Sequence, residues 1–306
     1  STAACDVRVL LPGFPAIVAG LQDATAIGQF SLPWGESVRV LSGALPAVQG
    51  AEGAAVRAYV LEAPGLYDRP GNPYEDAQRR PYADNHRRFA ALAWGAARLA
   101  RDLDPDWAPQ VVHGHDWHAG LVPACLKLTA GKQVPCVFTV HNLAYQGIFS
   151  ADVFGDLGLP PSAFQVDGLE FHGQISFMKA GLFYADKITT VSPTYAREVQ
   201  TAEQGFGLDG LLRTRRSDLT GILNAVDTQV WNPATDIHIP HHYAADHLAG
   251  KAKCKAALQD EAELEVTKDA PLFTVVSRLT EQKGLNLVLA GIETIVQGGG
   301  QLLVLG

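Results

Sequence analysis

Residues 137–147 read Val137-Phe138-Thr139-Val140-His141-Asn142-Leu143-Ala144-Tyr145-Gln146-Gly147. The first four favour a buried β-strand, because β-branched and aromatic side chains fit a covered, pleated surface. His141 and Asn142 then stand where that strand would end. In open α/β sheets, ligands bind beyond the carboxyl ends of the strands. The stretch therefore predicts an α/β fold with a His-Asn pair placed to meet a ligand.

Strand-like and helix-like segments alternate along most of the 306 residues. Among them we predict a strand at 110–113, helices at 118–128, 174–184 and 284–296, and a helix that starts at Pro193 with Ser192 as its N-cap. Such alternation predicts parallel sheets with helices on both faces, and the two segments 37–41 and 55–61 predict a hairpin. Residues 231–247 are rich in His, Pro and Asp and lack periodicity. We therefore predict a Rossmann-like domain over 1–222, a crossover over 223–245, and the start of a second Rossmann-like domain over 246–306.

Composition excludes several classes of protein. Hydrophobic residues make up 47% of the chain, which is enough for a large core, and the net charge is −8. The negative charge argues against binding to nucleic acid or to an anionic membrane. The four cysteines show no CxxC spacing, and there is no basic leader or long apolar run. These features indicate a cytoplasmic protein with reduced thiols.

Both ends of the chain fall at strands. There is no initiator Met, the first predicted strand covers residues 7–11, and the last covers residues 301–305 without a following helix. A parallel strand without its helix is half of a βα unit. We expect an internal piece of a longer protein, with the second domain incomplete.

Polar residues follow several predicted strands. The segment 113–118 reads His-Gly-His-Asp-Trp-His, Asn224 follows the strand predicted at 219–223, and Arg278 follows the strand at 272–276. The carboxyl ends of parallel strands meet at one edge of a sheet. We therefore expect a polar crevice at this edge.

The loop 277–284 predicts an anion site. It reads Ser-Arg-Leu-Thr-Glu-Gln-Lys-Gly between a strand and a helix. Arg278 offers a planar fork of donors, Lys283 a point charge, and the helix start free N–H groups. This combination suits a phosphate or diphosphate, although such loops are often only solvated.

Two further features have alternative interpretations. His113, His115 and His118 have side chains that can bind a metal, but no nearby Cys or carboxylate motif completes a metal-binding set. Tyr74 lies in a loop rich in Pro and Gly. It is either a surface turn residue or part of a cleft.

Seven segments carry a resemblance to a known family. They are 66–71, 115–120, 138–146, 168–171, 173–179, 191–196 and 277–284. In this order they resemble bacterial glycogen synthase, a family shared with plant starch synthase. The resemblance implies a GT-B fold with the active site between two Rossmann-like domains. It implies retaining transfer of glucose from ADP-glucose to the non-reducing end of an α-1,4-glucan, without a metal or cofactor.

The resemblance also implies roles for individual residues. Arg278 and Lys283 would hold the diphosphate and neutralise the charge that develops on it. His141 would hydrogen-bond the donor glucose near its reacting carbon. These three are the predicted catalytic residues.

Four more residues are predicted to bind substrate. Asn224 would contact the donor glucose from the crossover. Asp116 and Tyr74 would line the sugar side of the cleft, and Asn142 would support the loop.

The chain departs from the family at two motifs. It lacks the amino-terminal Lys-Thr-Gly-Gly-Leu segment and the later Glu-Pro-Cys-Gly-Leu segment, and Glu281 lies in the phosphate loop and does not replace the lost carboxylate. We expect this chain alone to be catalytically incompetent. The alternatives are a noncatalytic glucan-binding module and a metal-dependent hydrolase built on the His cluster.

Overall fold

A computed structural model describes residues 5–46 and 55–306. The chain divides into two compact units, Ser1–Asn224 and Ala225–Gly306, which are described separately. Most of the turn of the predicted hairpin lies outside the described residues.

The first unit alternates strands and helices. In chain order they are β1 (Arg8–Pro12), α1 (Pro15–Gly20), β2 (Gln22–Ser31), β3 (Ser37–Ala44), β4 (Arg57–Glu62), α2 (Pro64–Tyr67), α3 (Asn85–Leu99), β5 (Val112–His115), α4 (Val122–Leu128), β6 (Cys136–Val140), β7 (Ile148–Ser150), β8 (Glu170–Phe171), β9 (Gln174–Ser176), α5 (Phe177–Tyr184), β10 (Lys187–Thr190), α6 (Pro193–Glu198), α7 (Asp209–Thr214) and β11 (Leu219–Gly221).

One sheet of this unit is mixed. Its order is β1-β4-β3-β2. Strands β1 and β4 are parallel, β3 and β4 form the predicted antiparallel hairpin, and β2 pairs antiparallel with β3. Strand β2 was not predicted, because this largely exposed edge strand lacks an alternating apolar pattern.

The other sheet is parallel throughout, with the order β11-β10-β6-β5. Its central strand β6 buries Phe138 and Val140, as their side chains predicted. Helix α5 packs closely over Phe138 because Gly181 has no side chain; a Cβ there would lie 2.4 Å from the Phe138 ring.

Helix α3 contributes to the cores beside both sheets. Phe89, Ala93 and Ala97 pack in the cluster that contains α4 and α5, whereas Ala91 and Leu99 pack in the cluster that contains β3 and β4. Small alanine side chains on several faces let one helix pack closely against neighbours on more than one side.

Three predicted boundaries were wrong. Strand β5 begins two residues later than predicted, so His113 lies inside the strand and not beyond its end. The helix predicted at 118–128 is a 3-10 turn followed by α4, since Gly120 and Pro123 interrupt it. The helix predicted at 174–184 begins as strand β9, and α5 starts only after Ser176, whose side chain accepts a hydrogen bond from the N–H of Lys179.

The second unit contains α8 (Ala249–Glu261), β12 (Leu272–Val276), α9 (Leu285–Gln297) and β13 (Gln301–Leu305). Both strands have the predicted bounds and pair in parallel. Helix α9 begins one residue after the predicted start, because Gly284 adopts a left-handed conformation at φ +74° and serves as its N-cap. Across the described parts of both units, no helix is long and apolar enough to cross a membrane.

Candidate functional site

Asp116 organises the carboxyl edge of the parallel sheet. It follows β5 with φ +52° and ψ −177°, a backbone conformation that costs a non-glycine residue on the order of 1–3 kcal/mol. Its carboxylate Oδ1 accepts hydrogen bonds from the backbone N–H of His141 at 2.8 Å and of Asn142 at 3.4 Å. The strained residue therefore holds the start of the loop after β6 in place.

A row of imidazoles lies on one face of β5 and β6. His113 and His115 are two residues apart, so their side chains share a face, and their rings are 4.2 Å apart. His115 Nδ1 lies 3.1 Å from His141 Nε2, and His113 Nε2 lies 2.6 Å from Thr139 Oγ1. His141 is therefore held by Asp116 through its backbone and by His115 through its ring.

Burial favours the neutral form of three histidines near this edge. It lowers the pKa of His113, His115 and His118, and neighbouring imidazoles lower the pKa of the first two further. A neutral imidazole has one donor and one acceptor nitrogen. These three side chains can therefore both donate hydrogen bonds to hydroxyl groups and accept hydrogen bonds from them.

The loop after β6 is fastened at two more points. Asn142 Oδ1 accepts a hydrogen bond from the N–H of Ala144 at 3.0 Å, and the N–H of Leu143 donates to the hydroxyl of Tyr195 at 3.0 Å. Tyr195 lies on α6, whose predicted N-cap Ser192 is confirmed and accepts from the N–H of Tyr195 at 2.8 Å.

Aromatic side chains surround this edge. Tyr74 places its hydroxyl 3.0 Å from His118 Nε2, and its ring lies 6.3 Å from that of Trp117. A cleft of about 460 Å³ is lined by Trp117 together with Tyr145, which is 51% exposed, and Phe206. We call this the aromatic cleft; its lining is Trp117, Ala144, Tyr145, Gln146, Gly147, Ile148, Phe171 and Phe206.

The histidines do not converge on a metal-binding geometry. His118 contacts the Tyr74 hydroxyl, whereas His115 contacts His141 and His113 contacts Thr139. Within residues 5–46 and 55–306, no three His, Cys, Asp or Glu side chains are grouped so that they can hold a metal ion. The geometry therefore does not favour a metal-dependent hydrolase.

The structure brings together only some of the predicted site residues. Asp116, His141 and Asn142 are joined by hydrogen bonds. Asn224 is exposed three residues after β11. In the second unit, Arg278 and Lys283 are exposed in the loop between β12 and α9, and the N–H of Lys283 donates to the carbonyl of Thr280 at 3.0 Å.

Comparison with known proteins identifies the family. Residues 1–214 match the family described as the starch synthase catalytic domain. The chain belongs to this family. It is 61% identical to the glycogen synthase of Variovorax paradoxus (strain S110) and 56% identical to that of Leptothrix cholodnii (strain ATCC 51168 / LMG 8142 / SP-6). Both matches cover 98% of this chain but 62% of the relative, so the chain spans less than two thirds of their length.

A solved structure confirms the fold of this starch synthase family member. The catalytic domain of Starch Synthase IV from Arabidopsis thaliana, bound to ADP and acarbose, matches with a TM-score of 0.79 and 29% identity. The match covers 98% of this chain and 61% of the other. The predicted GT-B class of α/β fold is thereby confirmed.

Two contacts at this edge were not predicted from the sequence. His115 was considered as a polar residue near a strand end and as a possible metal ligand, whereas in the structure its ring contacts His141. Tyr195, which anchors the loop after β6 through Leu143, gave no local signal because the two residues are distant in the chain.

Proposed function

We propose that this chain takes part in retaining transfer of glucose from ADP-glucose to the non-reducing end of an α-1,4-glucan. The observation that carries the proposal is the edge formed by Asp116, His141 and Asn142, where a carboxylate holds the backbone of His141 and His115 contacts its ring, at the ends of two parallel strands. Ligands of open α/β sheets bind at this edge.

The chemistry assigns a task to each group. Breaking the bond between glucose and diphosphate develops positive charge on the sugar ring and negative charge on the leaving group. His141 hydrogen-bonds the glucose, and Asp116, Asn142, Tyr74 and Asn224 shape the sugar side. In the second unit, Arg278 and Lys283 neutralise the diphosphate. ADP-glucose is a substrate here, and the proposal needs neither a metal nor another cofactor.

The relatives support this choice of substrates. The curated relatives are glycogen synthases, and the Arabidopsis starch synthase was solved with ADP and acarbose bound. These ligands support a nucleotide and a carbohydrate as the partners of this chain. The net charge of −8 argues against nucleic acid or membrane partners, and the four cysteines without CxxC spacing support a cytoplasmic location.

The chain spans only 62% of its relatives, so we propose that it binds substrate without turnover. The test incubates the 306-residue chain with glycogen and ADP-glucose labelled in the glucose, and measures binding of maltoheptaose and ADP by calorimetry. We expect saturable binding of both ligands and no incorporation of label. Turnover near that of a complete glycogen synthase would refute incompetence, and failure to bind either ligand would refute the proposed substrates.

A noncatalytic glucan-binding module is the second candidate. The aromatic cleft favours it, because exposed rings such as Tyr145 offer apolar faces on which sugars stack. The two candidates differ in the ligands that the chain binds. Loss of maltoheptaose binding in Tyr145→Ala, together with no binding of ADP or ADP-glucose by the natural chain, would favour the module.

A further inference from the structure

The segment 68–84 connects α2 to α3 and contains Tyr74. We call it the Tyr74 loop. The Tyr74 hydroxyl lies 3.0 Å from His118 Nε2, and the centres of the two rings are 5.5 Å apart. His118 follows Asp116, which holds the backbone of His141, by two residues. The contacts that hold Tyr74 in place therefore bear on the candidate site.

A half-buried ion pair closes the two ends of the Tyr74 loop. Arg69 Nη1 and Nη2 lie 2.8 Å and 2.7 Å from the two carboxylate oxygens of Asp84. The two partners are five and ten residues from Tyr74 in the chain. This pair therefore fixes where the loop begins and ends, but not the position of Tyr74 itself.

Arg88 is a second holder of the loop, and it is almost completely buried. It lies on α3 and is 2% exposed. Its guanidinium donates from Nε to the carbonyl of Leu66 at 2.7 Å and from Nη1 to the carbonyl of Pro73 at 2.9 Å. Leu66 is a buried residue of α2, whereas Pro73 directly precedes Tyr74. Because a planar guanidinium holds its donors in a fixed geometry, Arg88 sets the distance between α2 and the residue beside Tyr74.

Asn85, one turn earlier on α3, extends this contact to Tyr74 itself. Its Oδ1 accepts a hydrogen bond from Arg88 Nη1 at 2.8 Å, and its Nδ2 donates to the carbonyl of Tyr74 at 2.9 Å. The N–H of Tyr82 donates to the same carbonyl at 3.1 Å. On the other side, Asn72 Oδ1 accepts from the N–H of Tyr74 at 2.8 Å. The backbone of Tyr74 is therefore held at both its N–H and its carbonyl.

The burial of Arg88 makes this arrangement hard to change. A buried charge is unfavourable unless hydrogen bonds of good geometry compensate for the lost water. The three acceptors named above are uncharged oxygens, and two of them are backbone carbonyls. Displacement of the Tyr74 loop would remove an acceptor from a buried cation. Arg88 therefore favours one position of the loop over others.

We propose that Arg88 is a positioning residue for Tyr74. Through the Pro73 carbonyl and through Asn85, it places the Tyr74 hydroxyl beside His118, where that hydroxyl meets a sugar hydroxyl of the ligand. The inference rests on the proposed function, in which Tyr74 lines the sugar side of the cleft. Arg88 does not touch the ligand, because its side chain is buried.

The ring of His118 reports the position of Tyr74 without any ligand. An aromatic ring shifts the NMR resonances of nuclei near it, so the His118 Cε1–H resonance, assigned from its absence in His118→Gln, moves when Tyr74 moves. We expect Arg88→Lys to shift this resonance at least about half of the way toward its position in Tyr74→Ala, because an ammonium group cannot replace the fork of donors. Asn85→Asp keeps the acceptor for Arg88 but loses the donor to the Tyr74 carbonyl. It should shift the resonance in the same direction, and it decides the matter if Arg88→Lys does not fold.

Arg69→Gln is the matched control for a general loosening of the loop. It removes the ion pair at the ends of the Tyr74 loop and leaves the contacts of Arg88 and Asn85 in place, so the His118 resonance should not move. An equal shift in Arg69→Gln would overturn the proposal. An unchanged resonance in Arg88→Lys or in Asn85→Asp would also overturn it.

Binding of ADP-glucose to the 306-residue chain then connects the position of Tyr74 to the ligand. We expect Arg88→Lys to weaken binding about fivefold in the natural chain but less than about twofold in a Tyr74→Phe background, because both changes remove the same hydrogen bond. Equal weakening in both backgrounds would overturn the proposal, since Arg88 would then act independently of the Tyr74 hydroxyl. If the natural chain binds no ADP-glucose, the proposed function is wrong, whereas the His118 resonance still decides whether Arg88 positions Tyr74.

Discussion

The carboxylate of Asp116 accepts a hydrogen bond from the backbone N–H of His141 at 2.8 Å. This bond crosses from the end of β5 to the end of β6, so one side chain sets the position of the residue proposed to contact glucose. The geometry requires Asp116 to adopt φ +52°. A strained residue at the end of β5 thus fixes the loop that follows β6.

Substitutions at Asp116 separate the hydrogen bond from the strain. We expect Asp116→Ala to lower the free energy of unfolding by about 1–3 kcal/mol, because backbone donors lose their acceptor. Asp116→Gly loses the same acceptor but tolerates positive φ, so it should be about 1 kcal/mol more stable than the Ala variant. Urea unfolding measures both. If the Ala and Gly variants have the same free energy of unfolding, the positive φ at position 116 does not strain the backbone.

Three histidines with lowered pKa predict that the protein loses stability in mild acid. Burial lowers the pKa of His113, His115 and His118 in the folded state, so the unfolded chain binds more protons. The free energy of unfolding should therefore fall as the pH drops through the unfolded value of about 6.5. Carboxylates with lowered pKa, such as Asp84, contribute only at lower pH, near and below about 4.

A triple variant isolates this contribution. Substitution of all three histidines by Gln removes the titrating groups and retains side chains that hydrogen-bond. We expect the variant to show a smaller change in urea midpoint between pH 7.5 and pH 5.5 than the natural chain. An equal change in both proteins would assign the pH dependence to other groups.

Gly181 should be intolerant of any side chain. A Cβ at this position would lie 2.4 Å from the ring of Phe138, so Gly181→Ala should destabilise the first unit by about 1–3 kcal/mol through overpacking. Gly155→Ala is the matched control, because nothing lies within 4 Å of its added methyl group. It should change the free energy of unfolding by less than about 0.5 kcal/mol. Equal effects in thermal unfolding would show that α5 can move.

The phosphate loop predicts selective loss of nucleotide binding. Arg278→Gln and Lys283→Gln should each weaken ADP binding by about tenfold or more, since each removes a charge-assisted hydrogen bond. Maltoheptaose binding should be unchanged. Lys253→Gln is the control for net charge. Calorimetry at low salt measures the ADP affinity of all three variants. If Lys253→Gln lowers the affinity as much as the other two do, ADP is attracted by the overall charge and not by this loop.

The sequence predicted the elements with strong local patterns. Both strands of the second unit have the predicted bounds, and the Ser192 cap of α6 was visible in its Ser-Pro pair. Strand β2 was missed because its side chains are mostly exposed and carry no alternation. Strand β9 was merged into the helix after it, since three residues are too few to establish a period.

The sequence was enough to select residues of the candidate site, but not to predict the contacts between them. Asp116, His141 and Asn142 were selected as polar residues near strand ends, and they do meet there. Asp116 accepts these backbone hydrogen bonds from a conformation with positive φ. Non-glycine residues rarely adopt such a conformation, so this role could not be predicted from the residue type. The contact of His115 with His141 depends on the register of β5 against β6, which pairs His115 with Thr139.

Titration of the 306-residue chain with ADP-glucose tests the central claim most directly, which is that His141 hydrogen-bonds the donor glucose. We predict saturable binding that His141→Ala weakens about fivefold, the effect of removing one hydrogen bond. His242 is an exposed histidine of the second unit, and His242→Ala should leave the affinity for this ligand unchanged. Equal affinity of the natural chain and the His141→Ala variant would contradict the claim.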